Sequence, residues 1–337
     1  MYSDRLIFKT SLGDEFFYLK DTILIKFGVN RNGISTSELN GGSHGLYKSV
    51  FNQHLSQDKI DYLENHDVGQ YLINECENLD IDFNYSTGLI TLAEMKNVSI
   101  VVKEYKSIEV IAVTTAGVRT NAVCAGDEAA YYEENGNFGT INTIILINSH
   151  LNHDALAHAL MVASEAKTVA LNNLKIPSQY SNNYATGTGT DGVCIFSNLE
   201  SDNNLKNADK HSKLGELIGK CVIESVEKAI GKQVWITRKS QSNVLVRLNR
   251  YSLDIDEFYN NLDCDKLEFL KQLQIDSKKQ QNVAITTSIL NLIDEMNLGL
   301  IEKQNAYDLA LKIKEECDSY PVKKLLDYWI NYFIHSH

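Results

Sequence analysis

Short apolar runs alternate with amphipathic stretches over the first 250 residues of the chain. The apolar runs are rich in β-branched residues, which favour extended backbone, whereas amphipathic stretches of helical period indicate helices with one buried face. Strands are predicted at residues 88–93, 98–103, 107–115, 140–148 and 193–196, and near residues 233–238 and 243–248. Helices are predicted at residues 56–79, 153–174 and 209–230.

The N-terminal segment predicts a β-hairpin followed by a long loop. Two β-type runs, at residues 6–8 and 22–27, are joined by a turn signal at Gly13 and Asp14. Residues 30–45 are rich in Asn, Gly and Ser. Because polar loops of that length usually carry function or move, we expect such a loop here.

The pattern changes from residue 252 onward, where amphipathic helices follow one another without strands. They are predicted at residues 265–274, 283–297, 300–318 and 321–334. We expect a catalytic domain over residues 1–250 and a helical extension over residues 251–337. The predicted fold class is α/β, with mixed α+β as the alternative: a mixed sheet flanked by helices, then an all-helical extension. That extension would serve as a cap, a lid or a surface for homo-oligomerisation.

Composition and charge narrow the class of protein. Of 337 residues, 43% are apolar and 23% are charged, which is typical of a globular enzyme or binding protein. The formal net charge of -12 disfavours nucleic acid as a partner, because phosphate binding needs a basic face. The six cysteines form no C-x-x-C pair, so we expect reduced core thiols in a cytoplasmic protein. No signal-peptide pattern and no apolar run of ~20 residues occurs, so neither export nor membrane insertion is expected.

Six segments differ from ordinary core or surface sequence. They are residues 39–42 (L-N-G-G), 114–118 with 121–127 (T-T-A-G-V and N-A-V-C-A-G-D), 139–142 (G-T-I-N), 165–167 (E-A-K), 185–192 (A-T-G-T-G-T-D-G) and 211–216 (H-S-K-L-G-E). Their order and spacing resemble the adenosylcobinamide amidohydrolases, and the resemblance covers residues 24–232. One departure is Ser37-Glu38, where the family pattern has a proline before Leu39.

The resemblance implies a corrinoid-salvage enzyme. Its reaction would be hydrolysis of the amide between the aminopropanol arm and the corrin ring of adenosylcobinamide, which yields adenosylcobyric acid. Because of the departure at residues 37–38, the preferred corrinoid is less firmly implied than the type of reaction.

The glycine-rich loop at residues 186–191 does not fit a dinucleotide or P-loop site. Those motifs need a strand before the glycines and a helix after them, whereas here a strand-like run follows the loop. Two interpretations stay open. The loop is either a plain tight turn, or a turn whose backbone N–H groups and threonine hydroxyls face a cleft with Asp191 at its edge.

Charged side chains on the two long helices raise a similar question. On helix 153–174, Lys167 falls within the apolar stripe and Glu165 on the opposite side. Such a lysine either extends its ammonium to water or is held beside an anionic partner, and the resemblance favours a function. On helix 209–230, which Asp209 would cap, His211 projects onto the apolar stripe. It is either a packed core residue or an acid–base group, and the motif favours the second.

Hydrolysis of an amide needs an activated water or nucleophile, donors for the oxyanion and an acid for the leaving amine. The predicted catalytic residues are Asp127, Glu165, Lys167, Asp191 and His211. We expect Asp127 or Glu165 to be the general base and His211 to protonate the amine. Backbone N–H groups of residues 187–192, with Lys167, would stabilise the oxyanion.

A second set of residues is predicted to bind the substrate. It comprises Asn40, Gly41, Thr115, Arg119, Asn121, Asn142, Thr186, Thr188, Thr190, Lys213 and Glu216. Asn and Arg side chains suit the peripheral amides of the corrin, which offer both donors and acceptors. The corrinoid is the expected small-molecule partner and substrate, and no cofactor is expected. No His-Glu-x-x-His pattern occurs, so hydrolysis is expected to be independent of a protein-bound metal.

Two alternatives belong to other classes of function. A non-catalytic corrinoid-binding module for uptake or sensing would bind adenosylcobinamide without releasing cobyric acid. An unrelated hydrolase would cleave simple N-(2-hydroxypropyl) amides and would not respond to corrinoids.

Overall fold

The computed structural model describes residues 5–128, 141–251, 255–260, 262 and 264–335. Its backbone divides into two units, Met1–Thr237 and Arg238–His337, whereas the change of sequence pattern lies near residue 251. The strands are β1 (Arg5–Lys9), β2 (Glu15–Leu19), β3 (Thr22–Ser35), β4 (Gly42–His54), β5 (Ser86–Thr91), β6 (Ser99–Tyr105), β7 (Ile108–Ala116), β8 (Ala122–Val123), β9 (Ile141–Ile147), β10 (His150–Leu151), β11 (Gly187–Thr188), β12 (Gly192–Asn198) and β13 (Asn204–Leu205). The helices of the first unit are α1 (Gln57–Leu63), α2 (Val68–Asn78), α3 (His153–Asn173) and α4 (Lys213–Val234). Those of the second are α5 (Val244–Leu248), α6 (Ile255–Asn260), α7 (Lys266–Asp276), α8 (Gln280–Asn297), α9 (Lys303–Glu315) and α10 (Tyr320–His335).

Alternation of side chains explains why the central strands are apolar throughout. On β9, Ile145 and Ile147 join the hydrophobic cluster that includes the buried faces of α3 and α4. Their neighbours Ile144 and Leu146 join a second cluster on the other face of the sheet. Because successive side chains of a strand point to opposite faces, a strand covered on both sides reads as a continuous apolar run.

The sheet of the first unit is mixed and curled. Its strand order is β1-β2-β3-β12-β9-β7-β6, and β4 pairs with both β3 and β5. β12 is parallel to β9, and β5 is parallel to β4, whereas the other pairs are antiparallel. The long strand β3 pairs with β2 through its first half and with β12 through its second. Helices α1 and α2 pack through a third apolar cluster that includes Leu24 and Phe51.

The predictions for the N-terminal segment are partly wrong. The runs at residues 6–8 and 22–27 do not pair with each other, because β2 lies between them and pairs with both β1 and β3. Residues 30–45 are not one loop, since β3 continues to Ser35 and β4 begins at Gly42. The polar residues there are satisfied inside the sheet: buried Arg31 donates to Asp14 over 2.7 Å and to the carbonyl of Ile147 over 2.9 Å. A polar sequence therefore does not exclude a strand whose polar groups all find partners.

The prediction of strands near residues 233–238 and 243–248 is also wrong. Helix α4 continues to Val234, and residues 244–248 form α5, which begins where the side chain of Asn243 accepts a hydrogen bond from Leu245 N. The helix predicted at residues 56–79 is interrupted at residues 64–67, so that α1 and α2 are separate. Apart from β3, which extends beyond the predicted residues 22–27 to Ser35, the other predicted strands and helices are confirmed, with ends that differ from the predicted ones by no more than four residues.

The second unit has a helical core of its own. Trp329, Ile289 and Leu326 are completely buried in it, and the Tyr251 ring packs edge-on against the Trp329 indole. The predicted fold class, a mixed sheet flanked by helices with a helical C-terminal extension, is confirmed. Among the described helices, none is long and apolar enough to cross a bilayer.

Candidate active site

A cleft of about 900 Å³ lies in the first unit at the ends of several strands. Its walls are residues 36–38 between β3 and β4, parts of α1, α2 and their connection, and residues 88–90 of β5. Asn142 at the start of β9 and residues 190–192 before β12 complete it. Three predicted site residues, Asn142, Thr190 and Asp191, therefore line one cavity. The structure thereby favours the interpretation of the glycine-rich loop as the edge of a cleft.

The glycine-rich loop is held around the carboxylate of Asp191. Thr188 donates from its backbone N–H over 3.1 Å and from its hydroxyl over 2.5 Å, and the ammonium of Lys167 pairs with Oδ2. Asp191 and Lys167 have side chains only 10% and 15% exposed. β11, which contains Gly187 and Thr188, pairs with β8 and fixes the loop from the other side. Three donors, the Lys167 ammonium and the backbone N–H and hydroxyl of Thr188, are thus directed at one carboxylate.

The surroundings of Lys167 decide between the two alternatives left open by its place on the helix. Its neighbours on α3, Ala163, Ala166 and Ala170, are buried in the core, so the side chain leaves the helix along an apolar face. Instead of extending to bulk water, the ammonium meets Asp191. Because the two charges are largely removed from water, removing either partner would leave the other without compensation.

Asn142 belongs to a buried chain of hydrogen bonds beside the cleft. Its amide donates to Asn52 Oδ1 over 2.8 Å and to the carbonyl of Ile90 over 2.9 Å. Asn52 in turn donates to the hydroxyl of Thr115 over 2.8 Å. Thr115 is thus connected to the cleft through Asn52 and Asn142, although it is itself buried in β7.

The first glycine loop, residues 36–41 between β3 and β4, is held against the cleft wall by hydrogen bonds to β5 and to the residues just before it. Asn40 donates to the carbonyls of Phe83 and Ser86 over 2.6 and 2.7 Å, and Ser37 donates to Gly88 O over 2.6 Å. A side chain at Gly41 would collide with the carbonyl of Ser37, so only glycine allows this turn. The amide hydrogens of Asn40 are thus used to shape the loop, and its role as a substrate contact stays a prediction.

Asp127 lies in a tight turn that contacts the glycine-rich loop. Its carboxylate accepts from Ser178 Oγ over 2.5 Å and from Cys124 N over 2.9 Å, and Ala125 N donates to Thr186 Oγ1 over 2.8 Å. Partial burial raises the pKa of Asp127. These hydrogen bonds and others from nearby side chains outweigh that effect and hold the pKa below its ordinary value. Because these hydrogen bonds hold the turn against Ser178 and the glycine-rich loop, the environment of Asp127 favours a structural anchor.

Two predicted catalytic residues lie on the surface instead of in the cleft wall. Glu165 is 47% exposed and pairs with Lys210 over 2.7 Å. His211 is exposed and precedes α4, because Ser212 is the N-cap and its hydroxyl accepts from Gly215 N. The expectation that His211 lies on the apolar stripe of a helix capped by Asp209 is therefore wrong. Asp209 instead accepts from the backbone N–H groups of residues 211 and 212.

Lys213 and Glu216 form an exposed ion pair at the start of α4. Hydrogen bonds from Lys213 and Lys220 lower the pKa of Glu216 to about 2. The hydrogen bond with Glu216 raises the pKa of Lys213, whose ammonium lies 4.6 Å from the centre of the Tyr105 ring. Each polar group is thus engaged by another surface residue.

The remaining predicted residues surround the β8–β11 connection. Asn121 is buried next to β8, whereas Arg119 is exposed and donates to the carbonyl of Val234 over 3.4 Å. Thr186 accepts from Ala125 N, and its carbonyl accepts from Thr168 Oγ1 over 3.0 Å. Of the segment at residues 139–142, residues 139 and 140 lie outside the described residues.

The cleft also has polar residues that the sequence did not predict, among them Glu38 and His66. Glu38 lies at the rim in the first glycine loop, at the position where the family pattern departs, and His66 lies in the α1–α2 connection. The His66 ring stacks on Tyr62 with centroids 3.8 Å apart, and its Nδ1 lies 2.7 Å from the carbonyl of Tyr62. The only sequence signal for His66 is the polar run at residues 64–67, which interrupts an otherwise helical pattern.

Comparison with known proteins identifies the family. A family model described as adenosylcobinamide amidohydrolase matches residues 8–238. The chain belongs to this family. Members of this amidohydrolase family are hydrolases, and their name implies a corrinoid substrate. The matched span ends at the boundary of the first unit, which contains the whole cleft.

Two further comparisons are less informative about chemistry. An uncharacterized protein from Methanocaldococcus jannaschii is 31% identical over 229 residues, which is 63% of this chain and 86% of that protein. A protein from Pyrococcus horikoshii of known crystal structure aligns over 69% of this chain and 83% of its own, at 12% identity and a TM-score of 0.29. A similarity that low supports no further statement.

The cleft carries no grouping typical of a protein-bound metal. Over the described part of the chain, no three His, Cys, Asp or Glu side chains converge closely enough to hold a metal ion. Four acidic residues, Glu38, Glu64, Asp67 and Asp191, are spread around the cleft wall instead.

Proposed function

We propose that the chain hydrolyses the amide between the aminopropanol arm and the corrin ring of adenosylcobinamide, releasing adenosylcobyric acid and the amino alcohol. The observation that carries the proposal is the Lys167–Asp191 pair, held by Thr188 at the edge of a large cleft in the family-matched unit. A large cavity with a few convergent polar groups, here an acid, a cation and a hydroxyl, is the arrangement expected of an active site.

The size and the lining of the cleft suit a large flat cation. Six aliphatic side chains form part of its wall: Ile60, Leu63, Val68, Leu72, Leu89 and Ile90. They would lie against the face of the corrin, and the acidic residues named above would face its edge. Adenosylcobinamide is cationic, because the charge of cobalt(III) exceeds the combined negative charge of the corrin and the adenosyl carbon. The cleft therefore attracts the substrate, and the new carboxylate of the product weakens that attraction.

The proposed reaction uses Asp191 as the base. When the amide carbonyl enters, the Lys167 ammonium turns to its oxygen, which leaves an oxygen of Asp191 free to accept a proton from water. The hydroxide adds to the carbonyl carbon, and the ammonium stabilises the oxyanion. The carbon–nitrogen bond then breaks, and the proton held by Asp191 passes to the departing amine. One water is consumed, and no cofactor or protein-bound metal is required.

The first experiment incubates the full chain with adenosylcobinamide and separates the products by mass spectrometry, with and without chelator. We expect adenosylcobyric acid in both cases. D191N should reduce its rate of formation by about a thousandfold, the range for removal of an essential acid–base group. The surface variant E224Q, which removes an exposed partner of Lys103 and Lys228, provides the control.

Other results would contradict parts of the proposal. Binding of adenosylcobinamide without product would support the corrinoid-binding module. Loss of activity with chelator, restored by a metal, would overturn metal independence alone. Turnover of simple N-(2-hydroxypropyl) amides without corrinoid turnover would support the unrelated hydrolase.

A further inference from the structure

The imidazole of His66 is held in one orientation by a hydrogen bond and a stacking contact, and only one of its two ring nitrogens takes part in that hydrogen bond. A carbonyl oxygen can only accept, so Nδ1, which lies 2.7 Å from Tyr62 O, carries the proton of the neutral ring. The stacked rings of His66 and Tyr62 are inclined by only 4°. Nε2 therefore carries the lone pair, and among the described residues no hydrogen-bond partner engages it. The residue itself is exposed and lines the cleft.

This arrangement matches the way proteins prepare a histidine to bind a metal. In such sites one ring nitrogen donates to a backbone carbonyl or carboxylate, which sets the tautomer and makes the other nitrogen a better ligand. A general acid would need the opposite state, with the proton on the free nitrogen. The hydrogen bond to Tyr62 thus favours a ligand over a proton donor.

The residues around His66 supply no further ligands for a metal of the protein. In the described segments, no three His, Cys, Asp or Glu side chains are placed so that they could hold a metal ion together, and a single imidazole would not retain a free ion. A cobalt corrinoid differs from a free metal ion, because the corrin already provides the four equatorial nitrogen ligands of the cobalt. The protein then needs to supply only one axial ligand. One correctly oriented imidazole is enough to coordinate such a metal.

We propose that Nε2 of His66 coordinates the cobalt of the corrinoid substrate, on the face opposite the adenosyl group. This inference rests on the proposed function, since it requires a corrinoid in the cleft. A coordinate bond fixes the height and tilt of the ring above the α1–α2 connection, which lies on the same cleft as Asp191. The flexible arm that carries the amide would then be restricted to the space around the Lys167–Asp191 pair, which lowers the entropic cost of bringing the amide to the reacting groups.

The test uses electron paramagnetic resonance of cob(II)inamide bound to the full chain. A coordinated nitrogen splits the cobalt lines into triplets, and uniform ¹⁵N labelling of the protein converts these triplets into doublets. We expect both patterns with the wild type and their loss in H66Q. The control H158Q, in which an exposed histidine of α3 is replaced, should keep them. Coordination should also tighten corrinoid binding by about tenfold or more, measured by equilibrium dialysis of wild type and H66Q.

Hydrolysis and binding are measured on the same preparations, so that the two proposals fail separately. Product formation without nitrogen splitting would overturn cobalt coordination and leave the hydrolase proposal intact. Splitting that persists in H66Q would assign the ligand to another residue and would also overturn it. Absence of corrinoid binding would overturn both. The wild-type spectrum decides whether a protein nitrogen coordinates the cobalt. If H66Q does not bind cob(II)inamide in the dialysis experiment, the variant H66N, tested in the same way, decides whether that nitrogen belongs to His66.

Discussion

Gly187 leaves the space in which the carboxylate of Asp191 meets the ammonium of Lys167. A methyl group on Gly187 would overlap Asp191 Oδ2 and would lie 2.9 Å from Lys167 Nζ. The first of the three glycines in the motif A-T-G-T-G-T-D-G is thus required by close approach of side chains, and not by an unusual backbone angle.

G187A should therefore separate activity from folding. The added methyl group must displace the carboxylate or the ammonium, and a shift of about 1 Å at a reacting group lowers rates by about a hundredfold. We expect that decrease in kcat/KM for adenosylcobinamide, with a change in melting temperature of only a few degrees. The control is G219A on α4, where no atom lies within 4 Å of the new methyl group. G219A should keep full activity and gain about 0.5–1 kcal/mol of stability. Equal activity of G187A and wild type would contradict our account of the pair.

Removing either partner of the Lys167–Asp191 pair should destabilise the protein. Breaking a buried pair typically lowers the free energy of unfolding by about 3–5 kcal/mol, because one charge stays buried alone. We expect K167M and D191N each to approach that loss in urea denaturation, and the double variant to be more stable than the sum of the single effects predicts.

An exposed ion pair supplies the matched comparison. Lys228 and Glu224 pair over 2.6 Å on the surface of α4. K228M should change the free energy of unfolding by no more than about 0.5 kcal/mol, since water already solvates both charges. If K167M were as mild as K228M, Lys167 and Asp191 would not form a buried pair in solution.

A third prediction concerns the buried hydrogen bonds that connect Thr115, Asn52 and Asn142 beside the cleft. N52L removes the acceptor of Asn142 and the donor to Thr115, so both lose a hydrogen bond. We expect a loss of about 1–3 kcal/mol in the free energy of unfolding and a raised KM, because Asn142 lines the cleft. Q70L removes an exposed bond between two amides on α2 and should change neither quantity. Unchanged stability in N52L would mean that water replaces the lost partners.

The fold could be predicted further from the sequence than the site could. Continuous apolar runs such as β9 and β12 identify strands buried on both faces, because no other common element has that length and composition. The segment at residues 30–45 misled the prediction because its polar groups bond across the sheet. Asn32, for example, donates to the carbonyl of Leu151, which is distant in sequence. Long-range partners of this kind cannot be read from local composition.

For the site, the helical period correctly separated Lys167 from Glu165, since one face of α3 is buried and the other exposed. The partner of Lys167 lies 24 residues away, and its identification required the loop geometry. His66 carries no distinctive motif and becomes visible only when α1 and α2 pack beside β5. Residues of a cleft that come from separate elements are brought together by topology, which the spacing of motifs does not encode.

The lowered pKa of Asp127 predicts a dependence of stability on pH. A carboxyl group whose pKa is lower in the folded state stabilises the protein above its unfolded pKa of about 3.9, and this contribution is lost as the pH falls through the folded value. D127N should therefore be less stable than wild type at pH 7, by about 1–2 kcal/mol, because weaker hydrogen bonds to a neutral amide replace those to the carboxylate.

The difference between D127N and wild type should begin to shrink below about pH 4, where Asp127 of the unfolded chain takes up a proton, and should be lost as the pH falls through the lower pKa of the folded state. Urea denaturation of both proteins between about pH 3 and 7 measures this difference. D209N is a useful comparison, because hydrogen bonds from Asn207 and from the backbone of His211 also lower the pKa of Asp209, but on an exposed turn. We expect a much smaller effect there. A difference for D127N that stays constant with pH would show that Asp127 acts through shape alone, and not through its charge.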